Sequence, residues 1–147
     1  SRMGDRRISG GKGGLTDAGT HVPLIANWPG TIPGGMTSND LVDVSDILPT
    51  LAELADSSPP ESVVLDGRSF ARQLLGFRTP HREWVYSQAG RHRWWVRNQR
   101  WKLYNEGQLF DLKNGLREKQ PVGPGQDTPE SLAARRTLQN ALESLPQ

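Results

Sequence analysis

The sequence predicts an α/β fold that changes character along its length. A strand–loop–helix unit comes first, and a small antiparallel sheet with a packed C-terminal helix closes the chain. Three observations carry this. Residues 22–28 (VPLIANW) form a nearly continuous apolar run bounded by Pro and Gly. Residues 83–112 hold four short aromatic and β-branched segments separated by turn residues. Residues 128–145 read as a capped amphipathic helix. The expected division is residues 1–80 for the α/β part and 81–147 for the meander and helix.

Residues 1–20 (SRMGDRRISGGKGGLTDAGT) lack apolar periodicity and crowd four glycines around Lys12, so they read as a loop. The run at 22–28 suits a strand buried on both faces, as in a mostly parallel sheet. Pro23 is tolerated at a strand start. Residues 46–55 read as a helix, with Asp46 as N-cap and Pro49 in the first turn, where a missing N–H costs little. Val44, Leu48, Leu51 and Ala55 then share one face. Residues 69–76 suggest a short helix closed by Gly76.

The segments 83–88, 92–97, 100–104 and 108–112 are joined by Gly90, Asn98-Gln99 and Asn105-Glu106-Gly107, the pattern of an antiparallel meander. In the last helix Thr128 caps and Pro129 takes the first helical position. Ala134, Leu138, Ala141, Leu142 and Leu145 mark its buried face.

Composition narrows the function classes. Lys and Arg number 18 against 16 Asp and Glu, a net charge of +2 with the signs interspersed. A nucleic-acid partner would favour a larger excess on one face, so Arg91, Arg93, Arg97 and Arg100 on one hairpin are a minor signal and no nucleic acid is expected. Cysteine is absent. That excludes thiolate metal sites and a cysteine nucleophile from this stretch. No apolar run reaches membrane-spanning length, and no membrane partner is expected.

Gly10-Gly11-Lys12-Gly13-Gly14 is not a P-loop, because the GxxxxGK[ST] spacing is missing. Its wider context carries more. Lys12, Thr16, Asp17, Ala18-Gly19, His21, Val22-Pro23 and Trp28-Pro29-Gly30 follow one another in the order of a sulfatase signature. Asp46-Ile47-Leu48-Pro49-Thr50 resembles that family's Asp-x-Leu-Pro-Thr helix, and Asp66-Gly67-Arg68-Ser69 its Asp-Gly-x-Ser turn. Trp101-Lys102-Leu103 and Leu109-Phe110-Asp111-Leu112 resemble its closing hairpin. The chain therefore resembles the sulfatases, nearest the arylsulfatase and N-acetylgalactosamine-6-sulfatase group. The resemblance implies the C-terminal part of an alkaline-phosphatase-like sulfatase fold, entered just after a metal-binding segment.

It also implies chemistry. Such enzymes hydrolyse sulfate esters with a formylglycine, made from Cys or Ser near the N-terminus, and with Ca²⁺ beside it. The lysine matching Lys12 contacts sulfate and lies near the leaving oxygen, where fixed positive charge stabilises the transition state. His21 stands where many members have arginine, so either a substrate contact or a structural hydrogen bond is open to it. The nucleophile motif is not found: there is no Cys, and no Ser lies in a Ser-x-Pro-x-Arg context. Asp5 has no partner at ligand spacing, so no metal ligand is assigned. The expected partners are a sulfated small molecule or glycan, the missing N-terminal part of the sulfatase, and other copies of this fragment by self-association. The parent enzyme is expected in the periplasm or outside the cell. The alternatives are a phosphatase or phosphodiesterase of the same superfamily, and a non-catalytic carbohydrate- or nucleic-acid-binding module.

Overall fold

The computed structural model describes residues 2–3, 6–7, 10–113, 118, 120–123 and 125–145. They form two compact units. One joins residues 1–23 to 86–147, and the other is residues 24–85. Residues 1–23 thus group with the meander.

The first unit opens with a small hairpin, β1 (Arg2–Met3) and β2 (Arg6–Arg7), in register Arg2 with Arg7. A one-turn helix, α1 (Asp17–Thr20), follows. The reading of 1–20 as plain loop is therefore corrected. Both elements are too short to leave a periodic pattern, and only Asp17 of α1 is buried.

The meander is as the turn residues predict. Strands β3 (Val85–Ala89), β4 (Arg93–Arg97), β5 (Trp101–Tyr104) and β6 (Leu109–Asp111) lie in sequence order in one sheet. β4 and β5 pair antiparallel with Trp95 opposite Tyr104 and Arg97 opposite Lys102. β5 and β6 pair with Lys102 opposite Phe110 and Leu103 opposite Leu109. Residues directly opposite share a face, and neighbours along a strand alternate. Trp95, Arg97, Lys102, Tyr104 and Phe110 therefore share one face. Val96, Trp101, Leu103 and Leu109 share the other.

The final helix, α4 (Pro129–Glu143), packs on β4 and β5. Thr128 caps it reciprocally with Ser131, satisfying N–H groups that an uncapped helix end leaves open. Ala134, Leu138 and Ala141 are buried, as are Val96, Leu103 and Leu109. Burial of such side chains contributes about 1.5–3 kcal/mol each, so this apolar layer is the core that holds the meander together. Arg135 fixes the helix further, bonding Asp127 at 3.0 Å and the carbonyl of Val122 at 3.0 Å.

The chain departs from expectation at residues 22–28. The run is extended but forms no strand, and Val22, Leu24, Ile25 and Trp28 are all exposed. A strand needs a neighbour for its backbone donors and acceptors, and among the described residues none pairs with this run. Apolar composition indicated that both faces want cover, without saying what covers them.

Helix α2 (Ile47–Leu54) matches the predicted helix, preceded by a 3₁₀ turn, Val44–Asp46. Its cap differs. Asp43 accepts from Ser45 N–H, while Asp46 makes no cap bond to α2. Asp46 is fully buried and gathers donors instead: the Asp43 N–H at 2.8 Å, the Arg68 N–H at 2.8 Å, His81 Nε2 at 3.0 Å and the Arg82 guanidinium. Thr50, one turn on, accepts from the Phe70 N–H at 3.0 Å and donates to the Asp46 carbonyl at 2.6 Å. Gly67 lies so close that a Cβ there would sit 1.9 Å from the Ser45 carbonyl oxygen. The Asp46–Thr50 and Asp66–Ser69 segments are thereby one node. The short helix α3 (Ala71–Leu74) follows, ending before Gly76. The stripe predicted on α2 is not buried: Val44, Leu48 and Leu51 are exposed.

Burial pushes the Asp46 carboxyl up, but the Arg68 and Asp43 N–H groups, His81 and Arg82 outweigh it and hold it below its ordinary value. A carboxylate whose folded value is depressed contributes stability that is present above the unfolded value and lost as pH falls through the folded one. The unfolded value lies near about 4. The urea midpoint of the chain should therefore fall as pH is lowered from about 5 towards 2, and fall less steeply in Asp46→Asn. Equal slopes in the two proteins would contradict this.

Candidate functional site: an anchored lysine loop

The predicted Lys12 loop is built on the polar face of the meander. Lys102 is fully buried between the aromatic rings of Trp95 and Tyr104, with Nζ 4.4 Å and 5.2 Å from their centroids. Its three N–H donors each find an acceptor: Asp17 Oδ1 at 3.0 Å, the Leu15 carbonyl at 3.0 Å and Glu118 Oε1 at 2.7 Å. Arg97, opposite Lys102 on β4, takes the second Asp17 oxygen at 3.1 Å. Tyr104 donates to Glu118 Oε2 at 2.6 Å. Burial first and the Glu118 carboxylate second push the Tyr104 hydroxyl well above its ordinary range, so it stays a donor.

Two buried cations thus face two buried carboxylates. Leaving out one partner of such a set typically costs about 3–5 kcal/mol, because the survivor keeps its charge without compensation. Asp17 and Leu15, the residues so gripped, are the chain that leaves the lysine turn.

The turn itself is compact. The Gly14 N–H bonds the Gly11 carbonyl at 2.7 Å, and the Gly19 N–H bonds the Thr16 carbonyl at 2.8 Å. A Cβ at Gly19 would stand 2.3 Å from the carbonyl oxygens of both Gly11 and Gly14. Only a glycine lets α1 press against the turn this closely. Lys12, at the tip, is exposed. His21 follows α1, exposed, with Nδ1 3.9 Å from Asp17 Oδ2.

Other aromatic and charged side chains are engaged within the fold. Trp95 is buried and Trp94 half-buried, as the alternation of strand side chains requires. Arg100 is held by Asp111 at 2.8 Å and Glu130 at 2.6 Å. With Arg97 buried on Asp17, two of the four hairpin arginines are committed to internal pairs. His81 belongs to the Asp46 node. Asp5 lies outside the described residues. Among the described residues no group of three or more His, Asp or Glu side chains could hold a metal ion.

With Ala allowed in place of Pro, the Ser-x-Pro-x-Arg pattern that is absent from this chain has two looser matches, Ser87-Gln88-Ala89-Gly90-Arg91 and Ser131-Leu132-Ala133-Ala134-Arg135, which corrects the reading that no nucleophile motif is found. The first lies on β3 and its turn, and the second is the capped first turn of α4. Both follow the lysine loop, whereas the family's motif precedes it, and Ser131 is committed to Asp127 at 2.9 Å.

What the motifs did not reveal is that Asp17, Arg97 and Lys102 meet. One signal was present. Lys102 sits between Trp101 and Leu103 on a strand, so alternation sends it to the opposite face, and a second covered face demands an anion there.

The chain was compared with known proteins. No family model matches the chain. Human arylsulfatase D is 30% identical over 119 residues, 79% of this chain. The ulvan-active sulfatase of Formosa agariphila is 41% identical over 82 residues, 56% of this chain. The N-acetylgalactosamine-6-sulfatase of Canis lupus familiaris is 36% identical over 76 residues, 52% of this chain. The matched segments amount to 19%, 16% and 15% of those proteins, so the chain spans less than a fifth of each. A solved sulfatase structure from the metabolism of multiple glycosaminoglycans by Bacteroides thetaiotaomicron shares the fold over 67% of this chain and 24% of its own, with TM-score 0.54 and 24% identity. The chain is thus similar in sequence to a short stretch of these sulfatases, and it shares the fold of part of the solved one.

Proposed function

We propose that this chain is the lysine-loop and C-terminal portion of an enzyme that hydrolyses sulfate esters of carbohydrates, and that it is inactive alone. The observation that carries the reading is Lys12: an exposed cation at the tip of a turn whose flank is held by buried ion pairs. A fixed cation of this kind suits a sulfate group. It attracts the sulfate oxygens in the ground state and stabilises the charge that grows on the leaving oxygen. His21 is proposed as a second substrate contact, on the side of the loop where α1 ends. The choice of carbohydrate rests on two relatives, one named for ulvan and one for N-acetylgalactosamine 6-sulfate.

In this reading the formylglycine and the Ca²⁺ site belong to the rest of the enzyme, which also covers the exposed residues at 22–28 and along α2. The enzyme is proposed, on the same family resemblance, to act in the periplasm or outside the cell.

Three outcomes are expected. In the complete enzyme, Lys12→Ala should lower kcat on an aryl sulfate about a hundredfold or more; an unchanged kcat/KM would overturn the assignment. The 147-residue chain, supplied with Ca²⁺ and an aryl sulfate, should show no turnover above its own Lys12→Ala variant. Light scattering should find that chain self-associated, since Ile25, Val44, Leu48, Leu51 and Val64 are each exposed. A strict monomer would mean the apolar surface needs no cover.

A further inference from the structure

We propose that Asp17 is a positioning residue. Held between Lys102 and Arg97, it sets the place of the Lys12 turn relative to the meander, so that the C-terminal sheet serves as the buttress of the sulfate-contacting loop. The catalytic part of this statement rests on Lys12 facing sulfate.

The mechanical path is continuous. Strands β4 and β5 are fixed by their own ladder and by the apolar layer under α4. From their other face Arg97 and Lys102 reach out and take one Asp17 oxygen each. A carboxylate gripped at both oxygens by cations on two adjacent strands cannot pivot about either bond. Lys102 also holds the Leu15 carbonyl, so two points of the segment between the turn and α1 are pinned. Helix α1 begins at Asp17, and its Gly19 rests on the carbonyls of Gly11 and Gly14, which bracket Lys12. Each link is a short hydrogen bond or a backbone contact without slack. A long flexible side chain such as lysine stabilises a transition state only if its own base is fixed, since small misplacements weaken it steeply.

The buried aliphatic side chains of the meander, Val96, Leu103 and Leu109, lie on the face opposite Asp17 and pack without it, so loss of the Asp17 charge should loosen the loop before it loosens the sheet. That separates positioning from general stability. In the 147-residue chain, Asp17→Asn should raise hydrogen exchange at the Gly14, Gly19 and His21 amides about tenfold or more while the 101–104 amides keep their protection. Unchanged loop exchange would overturn the proposal. So would equal acceleration in the sheet, which would make Asp17 a stability residue only. Should Asp17→Asn unfold by circular dichroism, Arg97→Gln carries the same test, because it frees one Asp17 oxygen and leaves the Lys102–Glu118 pair in place.

A kinetic arm uses the complete enzyme. Asp17→Asn should lower kcat about tenfold or more with KM within about twofold, and should have almost no further effect on kcat in a Lys12→Ala background, because residues acting through one another are not additive. Equal losses in both backgrounds would overturn the proposal. If Lys12→Ala itself costs nothing, the sulfate role of Lys12 fails, and the exchange measurement alone decides whether Asp17 holds the turn.

Discussion

The buried ammonium of Lys102 is the interaction on which the first unit depends. An ammonium has three donors and a large cost of leaving water. It is tolerated in a protein interior only where every donor finds an oxygen and the charge is matched. Here the oxygens come from Asp17, Leu15 and Glu118, which lie far from β5 in sequence. The requirement to satisfy one side chain therefore ties the start of the chain to its closing sheet. Arg97 adds a second cation and balances the two carboxylates.

The second unit is organised in the same manner around the opposite charge. Asp46 is a buried anion, and its four donors come from residues 43, 68, 81 and 82. In both units buried charge gathers segments that local propensity would leave as loops. That explains why a sequence with 16 glycines and 11 prolines holds together with few long elements.

Much of the fold was readable from sequence, and the division is physical. The four strands and α4 were found because turn residues, strand alternation and a Thr-Pro helix start are local signals. The run at 22–28 was misread because apolar residues on both parities show that cover is needed but not that a neighbouring strand is present. Asp46 was recognised as a helix-start residue, yet its burial depends on Arg68, His81 and Arg82, which no local window contains. Lys12 and His21 were located by family resemblance, and the structure added that Lys12 is exposed on a fixed turn. The buttress behind it was invisible because charge pairing across 85 residues leaves no periodicity: Asp17 and Lys102 each look like ordinary surface charges.

The close approach of Gly19 to the Gly11 and Gly14 carbonyls separates two things that are often entangled. Among the described residues the path of the turn follows main-chain contact and the grip on Asp17, and no hydrogen bond or ion pair of the side chain at position 12 contributes to it. Shape and chemistry are thus written at different positions. Evolution, or a protein engineer, can exchange the residue at the tip for another cation, a neutral donor or an acid while the loop keeps its course. The same architecture would then present a different side chain at the same point in space without being rebuilt.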